Sequence, residues 1–275
     1  MIFLTKRILL SLIILLATVP QSSAQTKKAD SDIGTLKVMT YNIRIASPPS
    51  KGWGYTDLIA TAQAIQKEKP DLVALQEVDA FTDRSGKDIN QAEKLAELTG
   101  MYYHFAKAVD RSNGDYGVGI LSRFPIEKSE SFRLNVRSTN PENEIRGVAL
   151  ITVKTNLGKM VFVSAHLDHL SDNERSYQIT QLNKILRKYN RMSIILGADL
   201  NTTPDNAIIK NLGKYLEIPC LQCPLTFPAD SPDKTLDYIL LSQKAQKKYD
   251  KLSYTTVSET YASDHLPLVM VIKKK

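Results

Sequence analysis

Apolar and polar residues alternate along 36–42 (Leu-Lys-Val-Met-Thr-Tyr-Asn) as they do in a half-buried strand. Residues 58–66 carry apolar positions at helical spacing, and Pro70 closes that run. Residues 71–76 read as a short buried strand, and 91–98 as a helix closed by Gly100. The middle of the chain is strand-rich, at 102–106, 117–121, 126–134, 147–153 and 160–165. Residues 172–189 form the longest predicted helix, with Ile179, Leu182, Ile185 and Leu186 on one face. A strand at 193–196, a short helix at 205–212 and strands at 236–241, 252–257 and 266–272 complete the pattern. Consecutive strands without intervening helices predict two packed, mainly antiparallel sheets flanked by helices, an α/β sandwich. No repeat, low-complexity tract or linker divides it, so residues 36–272 are expected to be one domain.

Composition changes the picture in one respect. The 275 residues are 43% hydrophobic with two cysteines, which excludes a disordered chain and a disulfide-framed mini-domain. The net charge of +7 invites a nucleic-acid partner. Its location argues otherwise. Residues 1–24 read as a secretory signal: Lys6 and Arg7 precede an apolar run at 8–19, and Ser22-Ser23-Ala24 offers a cleavage site after Ala24. That run is too short to cross a bilayer, which takes roughly 20 residues; a retained N-terminal anchor is the alternative. Residues 25–35 are a polar leader. Without the basic and acidic residues of the two ends, the body at 33–270 holds 29 basic and 27 acidic residues, a net +2. Nucleic acid is therefore not supported by charge. The mature chain, with no transmembrane segment, is expected to be exported to the periplasm or beyond as a monomer.

The chemistry sits where apolar strands end. Asn42 ends the first strand, Glu77 the second, His166 a middle strand, and Asp199 with Asn201 the strand after the long helix; Asp264-His265 stands before the last. Strand ends opening onto loops are where a rigid scaffold holds reactive groups. Hard divalent cations take oxygen ligands and keep several waters, so Asn42 and Glu77, with Asp264 adding a carboxylate, suit Mg²⁺ or Mn²⁺. Asp199 can orient a water, Asn201 a phosphate or metal, and His265 titrates near neutral pH. Taken singly, each has a plainer reading as a turn former or loop acid. Their joint occurrence does not.

The order of these segments resembles the endonuclease/exonuclease/phosphatase superfamily, with its DNase I-like fold. The matching pieces are Met39-Thr40-Tyr41-Asn42-Ile43, Leu75-Gln76-Glu77-Val78, residues 117–123 with Pro125, Arg146, Ser164-Ala165-His166-Leu167, Gly197-Ala198-Asp199-Leu200-Asn201, Leu236-Asp237-Tyr238-Ile239 and Ser263-Asp264-His265-Leu266-Pro267. They cover about residues 36–270. The resemblance implies a four-layer α/β sandwich and a metal-dependent phosphoester hydrolase. It implies that Asn42 and Glu77 help hold the metal with Asp264 nearby, and that Asp199 activates water with Asn201 beside it. It implies that His166 and Arg146 contact the phosphoryl group, and that His265 pairs with Asp237. Asp168, two residues after His166, is a candidate to orient it. His104 and His169 read as surface or core residues, and Arg111, Arg123 and Lys107 as solvated or substrate-binding ones.

Cys220 and Cys223 can pair only with each other or stay free; a small loop disulfide without a catalytic role is favoured over zinc or redox readings. Trp53 is either a membrane wedge or a cap on the first helix. The substrate class stays open among a general phosphodiester or phosphomonoester, DNA or RNA, and a sphingomyelinase-type phospholipid. A non-catalytic phosphate-binding module of the same fold is the reading from a different class.

Overall fold

Along β1 (Thr35–Asn42) alternate side chains part to two faces, Leu36 and Val38 into one apolar cluster and Met39 and Tyr41 into another. The computed structural model describes residues 34–52, 54–212 and 215–275; the expected signal at 1–24, residues 25–33 of the leader and Trp53 lie outside these. After β1 come α1 (Leu58–Glu68), β2 (Leu72–Ala80), α2 (Gln91–Thr99), β3 (Tyr102–Arg111), β4 (Gly114–Ser122) and β5 (Ile126–Leu134). The second half holds β6 (Arg146–Thr155), β7 (Gly158–His166), α3 (Asp172–Arg187), β8 (Ser193–Asp199), α4 (Ile209–Leu212) and β9 (Leu216–Glu217). It closes with β10 (Asp237–Ser242), α5 (Gln243–Lys248), β11 (Tyr249–Thr256) and β12 (Leu268–Lys274).

Two six-stranded sheets result, ordered β11-β12-β1-β2-β4-β3 and β5-β6-β7-β8-β10-β9. Each has one parallel pair, β1 with β2 and β7 with β8, and the rest are antiparallel. Leu36, Val38, Leu72 and Ala74 meet Ile151, Phe162 and Ile195 between the sheets. Met39, Val73 and Leu121 pack outward on Ile65 of α1 and Leu95 of α2. Val148, Val163 and Leu196 pack outward on Ile179 and Leu182 of α3. The two packed sheets expected from the alternation, and the four-layer sandwich implied by the resemblance, are what forms. Near one end of the strands the sheets approach closely at Gly197, where a methyl group would lie 2.6 Å from Ala74 Cβ. A buried polar chain crosses beside it: Thr40 Oγ1 donates to Gln76 Oε1 (3.3 Å), Gln76 Nε2 to Ser164 Oγ (3.2 Å) and Ser164 Oγ to the Leu75 carbonyl (2.9 Å). Such a satisfied network fixes the register of one sheet on the other.

Boundaries moved where capping decides them. α1 runs past 66 and ends on Lys69, which adopts the left-handed C-cap conformation (φ 50°). β3 and β4 extend to a two-residue turn at Ser112-Asn113, both at positive φ as a type I′ hairpin requires. The helix expected at 205–212 shortens to α4. α5 was not expected. Its single buried apolar side chain, Ala245, gives no periodicity to read, yet it closes the inter-sheet core.

Candidate active site

The register brings three strand ends together. His166 at the end of β7 lies opposite Asp199 at the end of β8, and Asp199 opposite Asp237 at the start of β10. His265, three residues before β12, comes from the other sheet and donates through Nδ1 to Asp237 Oδ2, 2.8 Å away. Its Nε2 is 3.9 Å from Asp199 Oδ2, and the Phe227 ring packs at 4.8 Å. Asn42, at the end of β1 and fully buried, donates through Nδ2 to Asp199 Oδ2 (2.9 Å) and Glu77 Oε1 (3.1 Å). One carboxamide thus joins carboxylates of both sheets.

Local strain aims several of these groups. Glu77 sits at a β-bulge in β2 with φ 55°, which turns its carboxylate to the rim. Asn201 has φ 48°; its backbone N–H donates to Asp199 Oδ1 (2.9 Å), and its Nδ2 lies 2.9 Å from His166 Nε2. Arg44, Ile45 and Ala46 all have φ near 50° (49°, 52° and 53°), a left-handed turn that costs L-residues about 1–2 kcal/mol each. Gln91 Nε2 holds it through the Ile45 carbonyl (2.6 Å), and Arg44 Nε pairs with Asp264 Oδ2 at 3.1 Å. Strain of this kind persists only where the surroundings over-determine it.

The electrostatics separate the two histidines. Burial opposes charge on His265, but Asp237, then Asp199 and Asp264, outweigh it and push its pKa up to about 10. His166 moves the other way: burial, then Arg146 and the charged His265, hold it well below the usual value. Asp199 is raised by burial and by Asp237, with His265 and the Asn42 amide working against that rise. The surroundings thus favour the imidazolium at His265 and the neutral ring at His166.

Arg146 opens β6 almost fully buried, its Nη1 3.0 Å from Glu144 Oε2 and 3.4 Å from His166 Nδ1. Asp168 does not turn to His166. It accepts from Asn143 Nδ2 (3.1 Å), Glu144 N (2.9 Å) and Ser171 N (2.9 Å), so it positions the loop that carries Glu144. His169 is exposed, yet its Nδ1 reaches Arg146 Nη2 at 3.2 Å; His104 lies half-buried against the Glu130 carbonyl. Lys107 and Arg123 are engaged by Asp115 and Asp71, and Arg111 by Glu144. Sequence reasoning missed Tyr116, buried in β4. Its hydroxyl bonds Arg146, and burial followed by the Glu77 carboxylate keeps it protonated. Cys220 and Cys223 form the expected disulfide.

Asp199, Asp237 and His265 bring ligand-type atoms within 4.8 Å of one another; with His265 charged, the two carboxylates are the members of this group able to hold a metal ion. Asp237 Oδ1 is buried without a hydrogen-bond partner among the described residues, which suits a cation. Glu77 and Asn42 stand beside this group, whereas Asp264 is tied to Arg44.

A model of the endonuclease/exonuclease/phosphatase family matches residues 39–265, and the chain belongs to that family of phosphoester hydrolases. A sphingomyelinase C of Bacillus cereus is 25% identical over 274 aligned positions, covering 81% of this chain and 79% of that protein. The endonuclease/exonuclease/phosphatase of Beutenbergia cavernae superimposes with a TM-score of 0.70 at 22% identity, covering 88% of this chain and 72% of the other. A mannosyl-6-phosphatase of Bacteroides thetaiotaomicron gives 0.68 at 20% identity, covering 86% and 99%. The fold is the DNase I-like sandwich.

Proposed function

We propose that this chain is an exported, divalent-metal-dependent phosphoester hydrolase in which water attacks phosphorus in line. The observation that carries this reading is the meeting of Asp199, Asp237 and His265 with Asn42, Asn201 and His166 at the joined ends of both sheets. Export rests on the signal expected at 1–24 and on the Cys220–Cys223 bond, which belongs to oxidising compartments.

The residues divide the work as follows. Asp199 orients the attacking water and takes its proton, and Asn201 holds the water or a phosphoryl oxygen. Arg146 and neutral His166 meet the transferring group. His265, fixed by Asp237, sets an imidazolium where negative charge builds. The new bond joins the water oxygen to phosphorus as the ester oxygen leaves on the opposite side. Mg²⁺ or Mn²⁺ held by Glu77, Asn42 and the Asp199–Asp237 carboxylates would neutralise phosphoryl charge.

The similar proteins include one named a sphingomyelinase and one named a mannosyl-6-phosphatase. Lipid and sugar phosphates therefore join DNA, RNA and bis-p-nitrophenyl phosphate in the deciding panel, run with Mg²⁺ or Mn²⁺ and with EDTA. Metal-dependent turnover of at least one class is expected. No turnover of any class would leave a binding module instead.

A further inference from the structure

The strands run between two ends, and the site occupies one. The other is assembled from the β6–β7 hairpin, the approach to β8, α5 and the end of β12. Asn156 of the hairpin donates to the Thr35 carbonyl, and Lys275 N to the Lys248 carbonyl (3.0 Å), so these pieces adjoin. Lys244 reaches from α5 to the Arg191 carbonyl, and Lys248 to the hairpin turn at Gly158. Arg191, Lys244, Lys247, Lys273 and Lys274 are all exposed there, and Lys154 flanks them.

The carboxylates at this end are already engaged: Glu127 with Lys159 (2.7 Å), Asp71 with Arg123 (2.9 Å), Glu68 with Lys37 (3.7 Å) and Asp250 with Lys275 (3.8 Å). Among the described residues no ion pair takes up Arg191, Lys244, Lys247, Lys273 or Lys274; Glu217 on the edge strand β9 is the nearby acid that offsets them. The body's small net charge thus hides a polarised molecule. A cavity of about 330 Å³ opens in the basic end, lined in part by Leu186, Ile194, Leu216, Lys244 and Lys247.

We propose that this end docks on an anionic phospholipid bilayer and holds the active site facing away from it. Charge complementarity supplies the attraction. Leu186, Ile194 and Leu216 beside Lys244 and Lys247 suit a phospholipid headgroup with its glycerol; Tyr215 is the one aromatic in the lining, whereas single-stranded nucleic acid is gripped by rows of stacked aromatics. Such docking presents the site to water-borne phosphoesters rather than to lipids of the bilayer beneath; that corollary rests on the proposed hydrolase activity, the docking itself does not.

The test is co-sedimentation of the purified mature chain, beginning at Gln25, with phosphatidylcholine vesicles with and without phosphatidylglycerol. The wild type is expected to bind only the anionic vesicles and to release them at high salt. The variant K244E/K247E/K273E/K274E should bind at least ~10²-fold more weakly while hydrolysing soluble bis-p-nitrophenyl phosphate at the wild-type rate. If that variant fails to fold, K244Q/K247Q and the salt dependence of the wild type decide the same question. Equal binding by wild type and variant, equal binding to neutral vesicles, or tighter binding of a DNA duplex would overturn the proposal. Vesicle binding without turnover of any phosphoester would refute the hydrolase and leave the docking standing.

Discussion

The two ends of the sandwich are built to different rules. Among the described residues, nine non-glycine positions have positive φ, and eight of them lie at the site end; the ninth, Lys69, is an ordinary helix cap at the other. The site end buries carboxylates, amides and histidines that share protons and charge. The opposite end keeps its charges in water, on hairpins and a short helix. A fold held together by the three apolar layers can tolerate strain and buried like charges at one end because the other end keeps its like charges exposed to water, where they are screened. Stability and chemistry are therefore separable along the strand axis, and that separation can be attacked directly.

The largest effect is expected at the buried cluster. EDTA should abolish hydrolysis of bis-p-nitrophenyl phosphate and Mg²⁺ restore it. Asp199→Asn and His265→Ala should each lower kcat/KM by at least ~10²-fold. Near-wild-type turnover in either variant would remove that residue from the mechanism.

Next comes a variant that trades chemistry for stability. Glu77→Gly relieves a positive φ and one carboxylate near Asp199, so its melting temperature should hold or rise while activity falls ~10²-fold. A large drop in melting temperature, read by circular dichroism, would show that Glu77 holds the sheets together rather than serving the site.

A subtler effect lies in pH. In chelated protein His265, with its pKa raised to about 10, contributes stability that is complete below its ordinary value and lost as pH climbs through 10. Asp199, a carboxyl also raised, acts with the same sign at lower pH, because the unfolded chain releases that proton first. Urea midpoints should therefore fall from pH 7 to 10, and fall less in His265→Gln. Parallel declines would detach the slope from His265.

Much of this end was legible in the sequence. Buried strands announce themselves by apolar runs, and the residue that ends each run is polar where the scaffold opens: Asn42, His166 and Asp199 follow from that rule alone. The family motifs added Arg146 and the Asp237–His265 pair. What stayed hidden depends on backbone geometry or long-range contact. Arg44-Ile45-Ala46 contains none of the residues that favour a left-handed turn, so only the bonds from Gln91 and Asp264 reveal it. Tyr116 reads as a core aromatic until Arg146 arrives beside it from the other sheet. The basic end was invisible to a charge sum, since lysines of α5, the hairpin and β12 become neighbours only in the fold.

The smallest effect concerns the cysteines, which lie between the two regimes. Their bond closes only a four-residue loop, worth at most ~2 kcal/mol by chain entropy. Thr235 Oγ1 already holds this stretch through the Cys223 and Pro224 carbonyls, and Thr226 is pinned by Lys234 and Leu266 before the chain reaches Phe227 beside His265. Replacing both cysteines by serine should therefore lower the melting temperature by no more than ~6 °C and leave activity within about two-fold. A ten-fold loss of turnover with the melting temperature unchanged would mean that the loop positions Phe227 and His265, and the boundary of the site would move outward to include it.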